Sequence, residues 1–599
     1  MAEGKLLSRE EVDPKYKWKI EDLFATDELW EKEYNKLKKL FKQYEKYPGT
    51  LGESKEKMLE FFTFSSKVNL LFERLYVYAN QRLHEDLANA KYQKYAGMMQ
   101  NAMVEMSGLS SFAEPEILEI SEEKIKEYMQ SEDMKPHRKY LTDLLRMKEH
   151  ILDKKTEEIL AKSQNMSSAP DDIFAMFNGA DIKFPSVKDE NGTDVELTHG
   201  TYSKFMESKD RRVRKDAFMA MYETYGSMKN TLAATYKANL NQAAFYADVR
   251  GYSSTRAMYL ADSNVPEQVY DNLIQTVHDN MNLMYRYLEL RKKALGLDEL
   301  HMYDLYTPMA EGSTNTYSFD EAKEIVLKGL APMGDEYLSV LKNGMESGWI
   351  DVYENKGKRS GAYSWGAYGT HPYVLLNYNG TLDNVFTLAH EMGHALHSYF
   401  SDANQPFETA GYKIFVAEVA STCNESLLIH YLLKNTDDKN EKIYLINRFL
   451  EQFKGTLYRQ TMFAEFEKIT HQMVADGETL TADLLCNTYY NLNKLYFGEG
   501  ICIDKEIALE WSRIPHFYTP FYVYQYATGI SAAIALSKKI MHEGETGVKD
   551  YMKFLTGGGS KDPIDLLKLA GVDMTTPAPV EEALGLFGEL LDEMEELIG

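Results

Sequence analysis

The chain has 599 residues, a net charge of −25 from 67 basic and 92 acidic side chains, and three cysteines. Its length allows a large buried core and more than one structural unit. The acidic balance lacks the basic footprint that phosphate binding requires, which excludes general nucleic-acid binding. No apolar run reaches the roughly 18 residues of a membrane span; the longest candidate, "YATGISAAIAL", is short and runs into Lys538 and Lys539.

The N-terminal "MAEGKLLSREEVDPKYKWKIEDL" is polar and lacks the apolar core and small-residue cleavage site of a secretory signal, so a cytoplasmic protein is expected. Cys423, Cys486 and Cys502 form no CxxC pair, which argues against a disulfide framework and a cysteine-built structural zinc site. Most of the chain carries apolar residues at three- and four-residue intervals between charged ones, the pattern of a mostly helical protein. The first break is "DIKFPSVKDENGTDVELTHG". It reads as a hairpin turning at Asn191-Gly192 in type I′ geometry, with Ile182, Phe184, Val195 and Leu197 on one face. This hairpin sets the expected boundary between an N-terminal helical region, residues 1–200, and a larger region, residues 201–599. A second strand is expected in "HPYVLLNY", residues 371–378.

The next element carries chemistry. "TLDNVFTLAHEMGHALHSYF" begins with a Thr381 or Asp383 cap and continues as a helix. His390-Glu391-Met392-Gly393-His394 is an HExxH pattern. Positions i and i+4 share one helical face, so both imidazoles can reach one ion. Glu391 points to the neighbouring sector, where it can hold the attacking water rather than the metal. His397 lies one turn on; as a ligand it would crowd a tetrahedral ion, and a place behind the ligands or facing the substrate suits it better. The pattern of a third histidine in HExxHxxGxxH fails, since His397 and Phe400 stand at its last two fixed positions.

Catalytic zinc takes three protein ligands and leaves a position for water. A further helix, "GYKIFVAEVASTCNESLLIHYLL", offers Glu418 and, seven residues on and near the same face, Glu425. Two antiparallel helices would bring Glu418 to the histidine pair and leave Glu425 to bind a histidine N–H. Further on, "RIPHFYTPFYVYQYATG" gathers His516, Tyr522, Tyr524 and Tyr526, donors of the kind that stabilise an oxyanion, although aromatic stretches commonly serve packing. "LTGGGSKDPIDLL" lacks the phosphate-loop spacing and reads as a loop before a helix with Pro563 in its first turn. The apolar stripe Val580, Leu584, Phe587, Leu591, Met594 and Ile598 marks a final core-facing helix.

The segments "LAHEMGHALHSYFSDANQPFETAGYKIFVAEVASTCNESLL", "LTHGTYSKFMESKDRRVRKDAFMAMYETY", "RGYSSTRAMYL" and "PHFYTPFYVYQYATG" resemble oligoendopeptidase F, within the thimet oligopeptidase group of zinc metallopeptidases. The resemblance covers nearly the whole chain. It implies a mostly α, zincin-like helical fold, with two lobes enclosing a deep substrate channel and a small β element near the site. It implies one Zn2+ per chain on His390, His394 and Glu418, with Glu391 as general base and Glu425 behind the ligands. His516, Tyr522 and Tyr526 match the segment that supplies transition-state donors, and Tyr524 and His397 are candidates for substrate contact. "GAYSWGAYGTHPYVLLNY" resembles the stretch that offers an edge strand to bound peptide. The implied activity is endopeptidase cleavage of short unfolded oligopeptides, with neither nucleic acid nor membrane as partner and no oligomeric state indicated. A zinc carboxypeptidase and a non-catalytic peptide-binding metalloprotein are the competing readings.

Overall fold

The computed structural model describes residues 6–310 and 315–598, and helices carry nearly all of its regular structure. The elements used below are, in chain order, α1 (Lys55–Glu85), β1 (Ser186–Lys188), β2 (Asp194–Glu196), β3 (Ile350–Asp351), β4 (Tyr363–Trp365), β5 (Tyr373–Leu375), α2 (Leu382–Asn404), α3 (Ile414–Asn435), α4 (Arg459–Ala475), α5 (Tyr524–Glu543), α6 (Pro563–Leu569) and α7 (Ala578–Ile598). Among the described residues no helix is long and apolar enough to cross a membrane.

The chain forms two compact units, each discontinuous in sequence. The first comprises Met1–Glu149, Thr314–Tyr431 and Leu536–Val572; the second comprises His150–Ser313, Leu432–Ala535 and Asp573–Gly599. Contacts thus divide the chain differently from the single cut expected near residue 200, because each unit is assembled from segments far apart in sequence.

In the first unit, a three-stranded sheet in the order β3-β5-β4 lies beside α2. The central strand β5 runs parallel to β3 and antiparallel to β4. Tyr373, Val374 and Leu375 are fully buried, which explains the unbroken apolar run "YVLL": a strand covered on both faces does not alternate. The sheet is anchored by a buried ion cluster. Asp351 of β3 binds Lys358 at 2.7 Å and Arg9 at 2.5 Å, and Arg9 reaches Glu85 at the end of α1 at 3.0 Å. Trp18 Nε1 donates to the same Glu85 at 2.7 Å. Removing one member would leave a buried charge without its partner, the costly way to break such a cluster.

The hairpin exists, but its register differs from the expected one. Val187 pairs with Val195. Gly192 has φ +79° while Asn191 does not reach positive φ, so the two-residue type I′ turn, which needs both, is not formed. Instead the Asp189 carboxylate accepts from the N–H groups of Asn191 (2.9 Å) and Thr193 (2.8 Å), making a longer loop. Val187 and Leu197 therefore take the buried positions, whereas Ile182 and Phe184 are half-buried. A one-residue slip exchanges faces in this way. The triple glycine before α6 is a packing device. A Cβ at Gly559 would lie 2.3 Å from the Gly411 carbonyl, and Gly558 sits at φ +52° against the Thr409 carbonyl. Asp562 then precedes α6, with Pro563 opening the helix. In the second unit, α7 buries Val580, Leu584, Phe587, Leu591 and Met594, the stripe read from sequence.

Candidate metal centre

Helix α2 starts where Thr381 Oγ1 accepts from the Asn384 N–H at 3.3 Å. Asp383 in the first turn complements the helix dipole. Val385, Phe386, Leu388, Ala389, Met392, Ala395, Leu396 and Phe400 bury one broad face, which leaves His390 and His394 together on another. Helix α3 packs so closely against α2 that glycine is required at 393: a Cβ there would lie 2.6 Å from Ser421 Cα and 2.8 Å from the Ala420 carbonyl. This approach delivers Glu418. Its Oε2 stands 3.3 Å from His390 Nε2 and 3.4 Å from His394 Nε2, and the two nitrogens are 3.2 Å apart.

These three atoms form a nearly equilateral triangle with a circumradius of about 1.9 Å. An ion about 0.8 Å above its plane would lie about 2.0–2.1 Å from each corner, the bond length of zinc to imidazole and carboxylate. The fit extends outward. His390 Nδ1 bonds to the Glu425 carboxylate, which fixes the tautomer and leaves the Nε2 lone pair facing the centre of the triangle. Ser421 Oγ donates to Glu418 Oε2 at 3.1 Å and holds the carboxylate in place. Asn424 donates to the Ala389 carbonyl at 3.0 Å and accepts from Tyr337 at 2.9 Å, cross-linking α2 and α3 beneath the triangle.

Electrostatics follow from this packing. Burial opposes a charge on His390, yet Glu418 and Glu425 outweigh it and push the imidazole up to about 10. Hydrogen bonds from His390 and His394 hold the Glu418 carboxyl well below the usual carboxylate range. Glu391, 7 % exposed, is pushed above its ordinary value by burial, against the pull of the two histidines. A cluster that binds protons this strongly suits a dication in their place.

His397 departs from expectation. It is 1 % exposed, stacked on Tyr412 at 3.8 Å and against Phe554 at 4.9 Å. Burial holds its imidazole down to about 3. It is a packed core histidine, and the substrate-facing place expected for it is corrected.

The aromatic segment belongs to the second unit. His516, Tyr522 and Tyr526 form one cluster, with ring centroids 5.6–6.1 Å apart, and Tyr526 Oη lies 3.4 Å from His516 Nε2. Tyr524 is excluded from it: 2 % exposed, it packs on Tyr270 at 5.1 Å, so its expected substrate contact is also corrected. One supporting residue was missed in the sequence. Phe521 adopts φ +56°, a conformation costing a bulky residue about 1–3 kcal/mol. Its N–H is bound by the buried Glu467 at 2.9 Å, and His471, one turn further along α4, packs on its ring at 4.5 Å. The i, i+4 pair of titratable residues in an apolar helix was the available signal. Burial pushes the Glu467 carboxyl far up, against the pull of the Phe521 N–H.

Comparison with known proteins agrees with these elements. The profile described as Peptidase family M3 matches residues 204–586, and that described as Oligopeptidase F matches residues 116–184. The chain belongs to peptidase family M3. It is 48 % identical to Oligopeptidase PepF of Bacillus subtilis, over all of this chain and 90 % of that one. It is 39 % identical to Group B oligopeptidase PepB of Streptococcus agalactiae, covering 99 % and 98 %. Among solved structures, oligoendopeptidase-F from Enterococcus faecium matches with a TM-score of 0.75 at 38 % identity, over 96 % of this chain and 99 % of that one. A chain from Chlamydophila abortus matches with a TM-score of 0.94 at 35 % identity, over 99 % and 100 %. The protein is thus a mostly α M3 peptidase of the metalloendopeptidase type. In this M3 chain the groups able to hold a metal include His390, His394 and Glu418.

Proposed function

We propose that this M3 peptidase cleaves internal bonds of short, unfolded oligopeptides, with one zinc ion held by His390, His394 and Glu418. The triangle of donor atoms at 3.2–3.4 Å supports this most directly. When bound, zinc polarises the scissile carbonyl and makes water a competent nucleophile near neutral pH. Glu391 takes the proton from the attacking water and returns one to the leaving amine; its burial, which raises its proton affinity, suits both transfers. Glu425 holds the His390 ring, and Ser421 holds Glu418. His516, Tyr522 and Tyr526 are assigned as donors to the oxyanion, on the resemblance of their segment and the clustering of their rings.

Strand β4 has a sheet partner on only one side among the described residues, and we assign it to pairing with substrate backbone. Main-chain pairing accepts many sequences, as a general oligopeptidase requires. The three free cysteines suit work in a reducing cytoplasm.

The test is cleavage of a length series of peptides blocked at both ends, with the cuts mapped by mass spectrometry. Internal cuts in blocked peptides are expected. Cleavage only from a free C-terminus would replace this reading with a carboxypeptidase, and binding without cleavage would replace it with a peptide-binding metalloprotein.

A further inference from the structure

The second unit contains another arrangement built like the first metal centre. His301 and Cys502 face each other across an isolated parallel bridge, with the Cys502 N–H donating to the Leu300 carbonyl at 2.8 Å. Glu299 Oε2 lies 3.2 Å from His301 Nε2. One donor atom from each of Glu299, His301 and Cys502 falls within 4.8 Å of the others. Behind the histidine, Asp504 Oδ1 bonds to His301 Nδ1 at 2.8 Å, while its Oδ2 accepts from the Met302 N–H at 2.9 Å. The imidazole also lies flat on Tyr303, 4.8 Å between centroids. Asp504 therefore plays toward His301 the part that Glu425 plays toward His390.

We propose that Glu299, His301 and Cys502 form a second metal site for a borderline-soft divalent ion of the zinc or cobalt class. His301 Nε2 faces the Glu299 carboxylate at 3.2 Å while Nδ1 bonds to Asp504, a placement that either a proton or a metal cation between Nε2 and the carboxylate satisfies. Cys502 makes the metal the better occupant, because a thiolate binds such ions strongly and a proton does not use it. On metal binding the Cys502 thiol gives up its proton to solvent.

Donors of one tetrahedral zinc ion stand about 3.3–3.8 Å apart, so any pair of the set near the 4.8 Å limit closes by about 1 Å. Glu299, whose side chain is 68 % exposed, has the freedom to move. The nearby cation Arg211 is paired with the buried Asp304 at 2.8 Å, a carboxylate it shares with Arg214. The donor set is one nitrogen, one oxygen and one sulfur, which leaves a position for water. Sulfur distinguishes it from the His390 centre, whose donors are nitrogen and oxygen.

The test uses chelator-stripped full-length protein titrated with Co2+. We expect two ions per chain and a near-ultraviolet thiolate-to-cobalt charge-transfer band, which an N/O centre cannot produce. C502S should lose the band and one ion while keeping wild-type peptide turnover, which also shows that it is folded. E299A should weaken the band-forming step about tenfold or more, as loss of one of three ligands requires. C486S, which alters the other half-buried thiol, should keep both ions and the band. Absence of the band in the wild-type chain, its persistence in C502S, or two ions still bound by C502S would each overturn the proposal.

Discussion

Gly393→Ala is a one-methyl test of how the ligand triangle is built. Helix propensity alone favours alanine by about 1 kcal/mol in a helix interior. The packing opposes it. The new Cβ would lie 2.6 Å from Ser421 Cα and 2.8 Å from the Ala420 carbonyl, and both obstacles are backbone. Carbon atoms in contact need about 3.5–4.0 Å, so α3 must retreat by about 1 Å. Glu418 sits one turn before Ser421 and moves with it. Its separations of 3.3 and 3.4 Å from the two histidine nitrogens then widen toward the roughly 4.2 Å that two ligands of one zinc ion can span at most. Overpacking costs about 1–3 kcal/mol, and metal affinity should fall about 10- to 100-fold, as when a residue supporting a ligand is lost. Competition against a chromophoric chelator reads the affinity, and thermal unfolding of the metal-free protein reads the packing cost. A variant with undiminished affinity and a melting temperature raised as propensity predicts would refute the account of this contact.

His390→Ala should abolish stoichiometric metal at this centre, seen as loss of the sulfur-free cobalt spectrum and of peptidase activity together. Tyr522→Phe should lower kcat about 100-fold with little change in KM, as expected for a donor used in the transition state; unchanged kcat would remove Tyr522 from the donor set. Asp402, in the last turn of α2, is pushed up to about 7 by burial and by Glu73, against about 3.9 in an unfolded chain. Its folded pKa is raised, so its contribution to stability is fully present below about pH 4 and is lost as pH rises to about 7. Asp402→Asn should therefore match wild-type stability near pH 4 and exceed it at pH 8, by about 1–2 kcal/mol after discounting for solvent screening. Equal melting temperatures of variant and wild type at pH 8 would contradict this.

The parts of the site that were legible in sequence are those set by helical periodicity. An i, i+4 histidine pair and a glutamate on the next helix need only two neighbouring helices to converge, and the structure brings His390, His394, Glu418 and Glu425 together. What was illegible depends on neighbours from elsewhere in the chain. His397 has the spacing of a site residue, yet Phe554, more than 150 positions away, covers it. Tyr524 is surrounded by cluster members in sequence but points to Tyr270. The hairpin register turned on the Asp189 side chain capturing two N–H groups, which a search for Asn-Gly pairs does not register. Gly393 carried no visible reason until the backbone of α3 was found against it.

The most direct test of the central claim, that Glu391 moves the proton while its neighbours hold the ion, is Glu391→Gln assayed for bound zinc and for peptide turnover on the same preparation. The account predicts zinc content equal to wild type and turnover lower by about 10²–10⁴-fold, the usual contribution of a general acid–base residue. Near-normal turnover would contradict the role of Glu391, and loss of zinc with turnover would move Glu391 into the ligand set.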